Sequence, residues 1–355
     1  MRMPLPLRFI GYAALFAATL EIAARIHDHV IEDAPLLGPY SINTLFRPSP
    51  HGREGVPGAH YAKWRMNSLG YRSPELRGDR VNIVAFGASE TFGLYESPDQ
   101  EYPRVVEARL EQLRPQVYSV VNIAMPGIRI GRVGYLERAV EQTQAGHIVI
   151  YPSLANYIDT TEPFCQQESR PLASPSGPAE IIRLTGKLDQ QAKKLIPASI
   201  QDSIRALLIW SATRNEMPLS RVPEATLNAF AEDLRCVVSV ARKHNATPIL
   251  VTHATYFGDR VAPEDAAMML AWRRFYPQLR EEGFLDLERR ANDAIRTVAA
   301  ESQVPLVDAA IAMPKGPTYF ADFVHFTDKG AAVMAGLIAD AIMSEPPRLR
   351  SLVTP

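Results

Sequence analysis

The chain has 355 residues, 46% of them hydrophobic and 22% charged, with a formal net charge of −1. This length holds one large domain with insertions or two ordinary ones, and the composition excludes fibrous and disordered classes. A charge so close to balance leaves no electrostatic footprint for nucleic acid, so no nucleic-acid partner is expected.

The first predicted element is apolar. Arg2 and Arg8 precede a nearly unbroken hydrophobic run from Phe9 to Leu20, which Ile22-Ala23-Ala24 extends past Glu21. A spanning helix needs about 20 apolar residues and a signal-peptide core about 7–15; the stretch Leu7 to Ala24 lies between them. Basic residues ahead of the run place the N-terminus in the cytoplasm and the rest outside. Ala23-Ala24-Arg25 is a poor cleavage site, which favours an uncleaved anchor (residues 1–26) over a cleavable signal or a buried helix. The expected location is therefore the inner membrane, single-pass, with the main domain on the periplasmic or extracytoplasmic side.

Residues 27–80 contain many Pro, Gly and His residues and little periodicity, and read as a juxtamembrane linker and lead-in. From Val81 short apolar runs alternate with amphipathic stretches. Val81–Phe86, Val117–Ile123, His147–Tyr151, Thr247–Thr252 and Pro305–Val307 are rich in Val and Ile and continuous rather than alternating, as in strands buried on both faces. Pro103–Leu113, Val133–Gln142, Ala225–Lys243 and Leu287–Glu301 read as helices, and a last one follows Thr327 to about Met343. Strand–helix alternation predicts an α/β domain, residues 81–345, with a parallel five-stranded sheet flanked by helices. Residues 162–223 interrupt it with a Pro/Ser/Gly-rich loop (Ser169 to Pro178) and a helical segment (Ile200–Trp210), an insertion expected over the strand ends. A shorter insertion, Tyr256–Phe284, carries Trp272, Phe275 and Tyr276; residues 346–355 form a C-terminal tail. Cys165 and Cys236 have no metal-ligand spacing, and the sequence leaves open whether they pair or are unrelated thiols.

Three groups of residues carry chemistry. The first predicted strand ends in Gly87-Ala88-Ser89-Glu90-Thr91-Phe92-Gly93, which exposes Ser89 at a strand end with close backbone approach permitted by glycine. Alone, such a turn is common and mostly structural. Near the other end Asp322-Phe323-Val324-His325 puts an acid and a base three residues apart on one loop, and Thr327 is placed to cap the following helix. Between these, Gly127 in Ala124-Met125-Pro126-Gly127 and Asn156 in Ser153-Leu154-Ala155-Asn156 follow the second and third strands and offer donors for an oxyanion. In a parallel sheet those strand ends share an edge, so all five residues can meet. His253, after the fourth strand, is a possible substrate contact; Asp308, after the fifth, is a rival partner for His325 but reads better as a strand-end cap. No metal site or cofactor is indicated.

The ordered blocks resemble those of the SGNH (GDSL-like) hydrolases: Gly-Ala-Ser-Glu-Thr-Phe-Gly for the Gly-Asp-Ser block, Ala-Met-Pro-Gly, Leu-Ala-Asn-Tyr and Asp-Phe-Val-His. Asn67-Ser68-Leu69-Gly70-Tyr71-Arg72 is also similar to membrane-anchored bacterial members. Ala88 stands where the family has Asp, and Leu154 and Tyr157 replace the Gly and second Asp around Asn156, which alters local hydrogen bonding. The resemblance implies a three-layer flavodoxin-like fold over about Val81 to Met343. It implies Ser89 as nucleophile, Asp322 and His325 as the rest of a triad, and the Ser89 N–H, the Gly127 N–H and Asn156 as the oxyanion hole. The expected activity is hydrolysis of an acyl ester, for instance O-acetyl groups on a cell-envelope or secreted glycan, without a cofactor. Transfer of the acyl group to a glycan hydroxyl, or a catalytically silent scaffold, are the alternatives.

Overall fold

The computed structural model describes residues 5–167, 182–187, 195–214 and 217–345. The predicted Ser169–Pro178 loop and the tail 346–355 lie outside the described residues. Five strands form one parallel sheet: β1 (Val81–Gly87), β2 (Tyr118–Asn122), β3 (His147–Tyr151), β4 (Thr247–Val251) and β5 (Leu306–Val307), in the order β2-β1-β3-β4-β5. Each agrees with its predicted span to within one or two residues. β2, β3 and β4 are buried along their whole length, because helices cover both faces of the sheet.

Besides short turns such as Ala309–Ala312, the helices among the described residues are, in chain order, α1 (Leu5–Glu32), α2 (Ser89–Phe92), α3 (Tyr102–Leu113), α4 (Val133–Thr143), α5 (Ala198–Thr213), α6 (Glu224–Lys243), α7 (Ala266–Phe275), α8 (Glu281–Glu301) and α9 (Asp328–Ser344). α3 packs with α9, while α4 and α8 both pack on α6. Right-handed crossovers put the first pair on one face and the trio on the other, giving three layers. The chain leaves β1 towards β2 on one side and then runs β3, β4, β5 on the other. The loops after β1 and β3 therefore diverge at the switch point of the sheet, the crevice where open α/β folds take ligands.

The predicted linker is partly built into the domain. α1 continues to Glu32, and two antiparallel hairpins follow, Phe46–Ser49 with Gly52–Gly55 and His60–Tyr61 with Trp64–Arg65. Leu45, Phe46, Met66 and Tyr71 are buried in the main core. Strands of two to four residues are too short for a periodic signal, so composition alone suggested a linker. The segment's work is local: Arg72 donates to the carbonyls of Phe92 and Gly93, Trp64 Nε1 donates to Gly93 O at 3.0 Å, and Lys63 Nζ to Leu94 O at 2.8 Å. Arg72 is itself held by Glu101 at 2.9 Å, a buried pair. The lead-in thus clamps the C-terminal end of the turn that begins at Ser89.

α8 begins at Glu281, six residues before its predicted start at Leu287, because the acidic Glu281 and Glu282 sit well in a first turn facing the positive end of the helix dipole. Cys165 and Cys236 are joined as a disulfide with Cα atoms 6.3 Å apart, fastening the start of the insertion to α6.

Candidate active site

The geometry around Ser89 starts with Gly87. A Cβ there would lie 2.1 Å from Thr91 Oγ1 and 2.6 Å from Tyr151 O, so only glycine lets β1 run this close to β3 before turning. The chain passes through Ala88 directly into α2, with Ser89 its first residue and Gly93, at φ 82°, closing it. The first N–H groups of a helical turn have no acceptor within it, and Ser89 N–H is one of these. Asn122, at the end of β2, ties the neighbouring loop to this turn: its Nδ2 donates to Thr91 O at 2.8 Å and its Oδ1 accepts from Ala124 N at 3.1 Å.

Gly127 and Asn156 come together. Asn156 Nδ2 donates to Ile128 O at 3.0 Å, and Arg129 Nε donates back to Asn156 O. Gly127, at φ 77°, and Asn156 line one depression of about 250 Å³ with Arg129, Arg132, Asp159 and Tyr276. Asn156 keeps a second amide hydrogen beyond the one given to Ile128.

Asp322 and His325 are paired. Asp322 Oδ2 lies 2.8 Å from His325 Nδ1, and Oδ1 accepts from the His325 and Val324 amides at 2.8 and 2.9 Å. Burial opposes the charged form of each group. The mutual hydrogen bond outweighs it, lowering the Asp322 carboxyl and raising the His325 imidazole. Thr327 Oγ1 accepts from Gly330 N at 3.2 Å, capping α9 as its position predicted and holding the loop. His325 Nε2 is buried and has no hydrogen-bond partner among the described residues. Asp308 is engaged elsewhere, by Arg296 Nε and Nη2 at 2.9 Å each and by Thr252 Oγ1 at 2.9 Å. It belongs to the end of β5, not to His325.

Ser89 Oγ does not reach His325 in this structure. It donates to Glu90 Oε2 at 3.2 Å, and the negative charge of Glu90 also helps to raise the His325 imidazole. Glu90 is buried, and behind it stands His253. This histidine is only 2% exposed, with Nε2 3.4 Å from Glu90 Oε1 and Nδ1 2.8 Å from Glu288 Oε2. Its ring stacks on Tyr151, and its main chain is fixed by Asn292 in both directions. Burial would drive the imidazole towards neutrality, but Glu288 and Glu90 outweigh it and push His253 up to about 10. For Glu90, burial is likewise outweighed by His253 and His325, and the carboxyl is held down at about 2. His253 therefore has both ring nitrogens on carboxylates, and with Glu288 it also lines a depression of about 630 Å³.

Glu90 and Glu288 were not singled out from the sequence. Glu90 had one available sign, an acid directly after the strand-end serine. Glu288 sits in the middle of an amphipathic helix, and nothing local separates it from a solvated glutamate.

No family model and no curated protein matches the sequence. Solved structures do resemble it. A lipase/acylhydrolase from Enterococcus faecalis is 16% identical over 76% of this chain and 100% of its own, with a TM-score of 0.45. The acetyl xylan esterase AlAXEase is 13% identical over 74% of this chain and 100% of its own, at 0.44. A putative lipolytic protein of the G-D-S-L family from Desulfitobacterium hafniense is 12% identical over 74% and 99%, at 0.42. The chain is similar to esterases and lipases of the G-D-S-L kind. At such scores, what it does must be argued from its own residues.

Proposed function

We propose that this chain is a serine ester hydrolase of the SGNH kind, held at a membrane by α1. The observation that carries the reading is the Asp322–His325 pair with Nε2 left without a partner among the described residues, under the charge of Glu90, whose carboxylate holds the Ser89 hydroxyl. In this reading the hydroxyl turns from Glu90 to His325 Nε2 as an ester enters. Ser89 Oγ attacks the carbonyl carbon while Nε2 takes its proton, and the imidazolium is stabilised by Asp322 on one side and Glu90 on the other. The Ser89 and Gly127 amides and Asn156 Nδ2 receive the oxyanion, each donor being worth about 3–4 kcal/mol of barrier. His325 then protonates the departing alkoxide, and a water activated by the same nitrogen releases the acid and restores Ser89.

α1 is long and apolar enough to cross a membrane by length and composition. The basic residues ahead of its apolar run, Arg2 and Arg8, favour a domain on the outer side, and the Cys165–Cys236 disulfide suits an oxidising compartment. From that location we propose an O-acylated cell-envelope or secreted glycan as the substrate class. The test is labelling of the full chain with a fluorophosphonate and mapping of the modified peptide. Attachment at Ser89, abolished in Ser89→Ala, is expected; an unlabelled protein, or label on another residue, would overturn the reading.

A further inference from the structure

α5 is amphipathic in the wrong direction for a helix of a water-soluble body. Ile209 is buried against the domain, and Asp202 and Arg205 pair at 2.7 Å on the same side of the helix. The opposite side carries Ile200, Ile204, Leu207 and Leu208, all exposed, with Trp210 at its edge 62% exposed. An apolar stripe turned outward over several turns is a contact surface awaiting a partner.

The same insertion grips α1. Residues 183–187 are helical. The amides of Arg183 and Leu184 donate to the two oxygens of Glu21 at 3.2 and 2.8 Å, and Lys187 pairs with Asp28 at 2.6 Å. The Arg183 side chain donates to the carbonyls of Arg25 and Pro35, and Arg25 pairs with Glu21 at 2.7 Å and donates to Leu36 O at 2.9 Å. The acid that interrupts the apolar run of α1 is therefore hydrogen-bonded by the insertion and charge-paired with Arg25 of α1 itself. Polar contacts of this density belong at the headgroup level and not in hydrocarbon, so the clasp lies outside the apolar layer. Ile182, beside the clasp, and Leu37, just after α1, are exposed apolar residues at that level.

We infer that α5 lies flat on the lipid surface, its Ile204–Leu207–Trp210 side immersed at the headgroup–acyl boundary. Its 16 residues span about 24 Å, and with Ile209 turned to the domain and the apolar side turned away it is suited to lying along a bilayer. A tryptophan at the rim of the apolar face is the expected interfacial residue. The inference rests on α1 being a membrane helix but not on the chemistry at Ser89. Its consequence is that the catalytic domain has a fixed attitude to the membrane, held at two points instead of swinging on a tether.

The tryptophans provide the test. The chain has three, Trp64, Trp210 and Trp272; Trp272 is fully buried, Trp64 is half-buried, and Trp210 is exposed. The full chain is reconstituted in phosphatidylcholine–phosphatidylglycerol vesicles with and without bromine on the upper acyl carbons. Brominated lipid is expected to quench the wild-type emission, and W210F should lose that quenchable share. Ile204→Asp/Leu207→Asp should also lose quenching, while still floating with the vesicles and hydrolysing a water-soluble ester at the wild-type rate. Flotation without quenching would overturn the inference alone, as would cross-linked dimers in which a second copy shields Trp210. Failure of the full chain to float would overturn the anchor and this inference together.

Discussion

The hydroxyl of Ser89 donates to Oε2 of Glu90, 3.2 Å away, and not to a histidine. Glu90 is the inner end of a buried chain that runs through His253 to Glu288. One carboxylate thereby sets the resting position of the hydroxyl and places negative charge near His325. The groups around Glu90 are His253 from the loop after β4, His325 from the loop before α9, and the phenols of Tyr102 and Tyr151; around His325 they are Asp322, Glu90 and Glu96, with the Tyr95 ring 5.2 Å away. His325 must be neutral to accept a proton, so a raised imidazole pKa puts the acid limb of kcat/KM above the ordinary histidine value. Glu90→Gln removes one of the charges raising it. The limb is then expected to move to lower pH. A pH–rate profile checks this, and an unmoved limb with intact folding would show that Glu90 serves packing alone.

Asp322→Asn should lower kcat on the order of 10²–10⁴-fold with little change in KM, because the base loses its orienting partner while Ser89 and the oxyanion donors stay. Asp308→Asn should leave kcat nearly unchanged. Its contacts are with Arg296 and Thr252, and it is about a third exposed, so the loss falls on stability at roughly 1 kcal/mol. Steady-state kinetics with melting curves on both variants separate the two carboxylates. A larger kcat loss for Asp308→Asn would reverse the assignment.

Ser89→Ala should abolish ester hydrolysis and shift stability by no more than about 1 kcal/mol, since among the described residues the side chain makes only the Glu90 hydrogen bond. Residual activity above a few per cent would remove Ser89 from the nucleophile role.

The buried His253 links stability to alkaline pH. An unfolded histidine titrates near about 6.5, whereas the folded one is pushed up to about 10. A pKa raised by folding contributes stability that is complete below the unfolded value and is lost as pH climbs through the folded one. Melting temperature should therefore fall across this window in the wild type, and fall less in His253→Gln. Parallel pH curves for the two proteins would mean that His253 is neutral in the folded state.

Reducing Cys165–Cys236 reopens a loop of sequence separation 71. The chain-entropy relation gives a loss of about 4 kcal/mol of stability. Denaturant titrations with and without reductant measure it, and coincident curves would show that the bond is absent in solution.

The sequence by itself determined the elements and the local parts of the site. Strands such as His147–Tyr151 are legible because burial on both faces demands an unbroken apolar run. Asp322 and His325 are legible as a pair because three residues of one loop suffice to join them. Tertiary structure decided what depends on distant parts of the chain. His253 shows no acid nearby in sequence, yet its partners stand 163 and 35 residues away. Cys165 meets Cys236 only because α6 passes the start of the insertion. The 27–80 segment looked like a linker because its hairpins are shorter than any period, and only the packed fold brings Arg72 and Trp64 to the carbonyls behind Ser89. The outward apolar side of α5 was equally hidden. Helical periodicity tells which residues share a face, but the direction a face takes is fixed by which side the rest of the molecule covers.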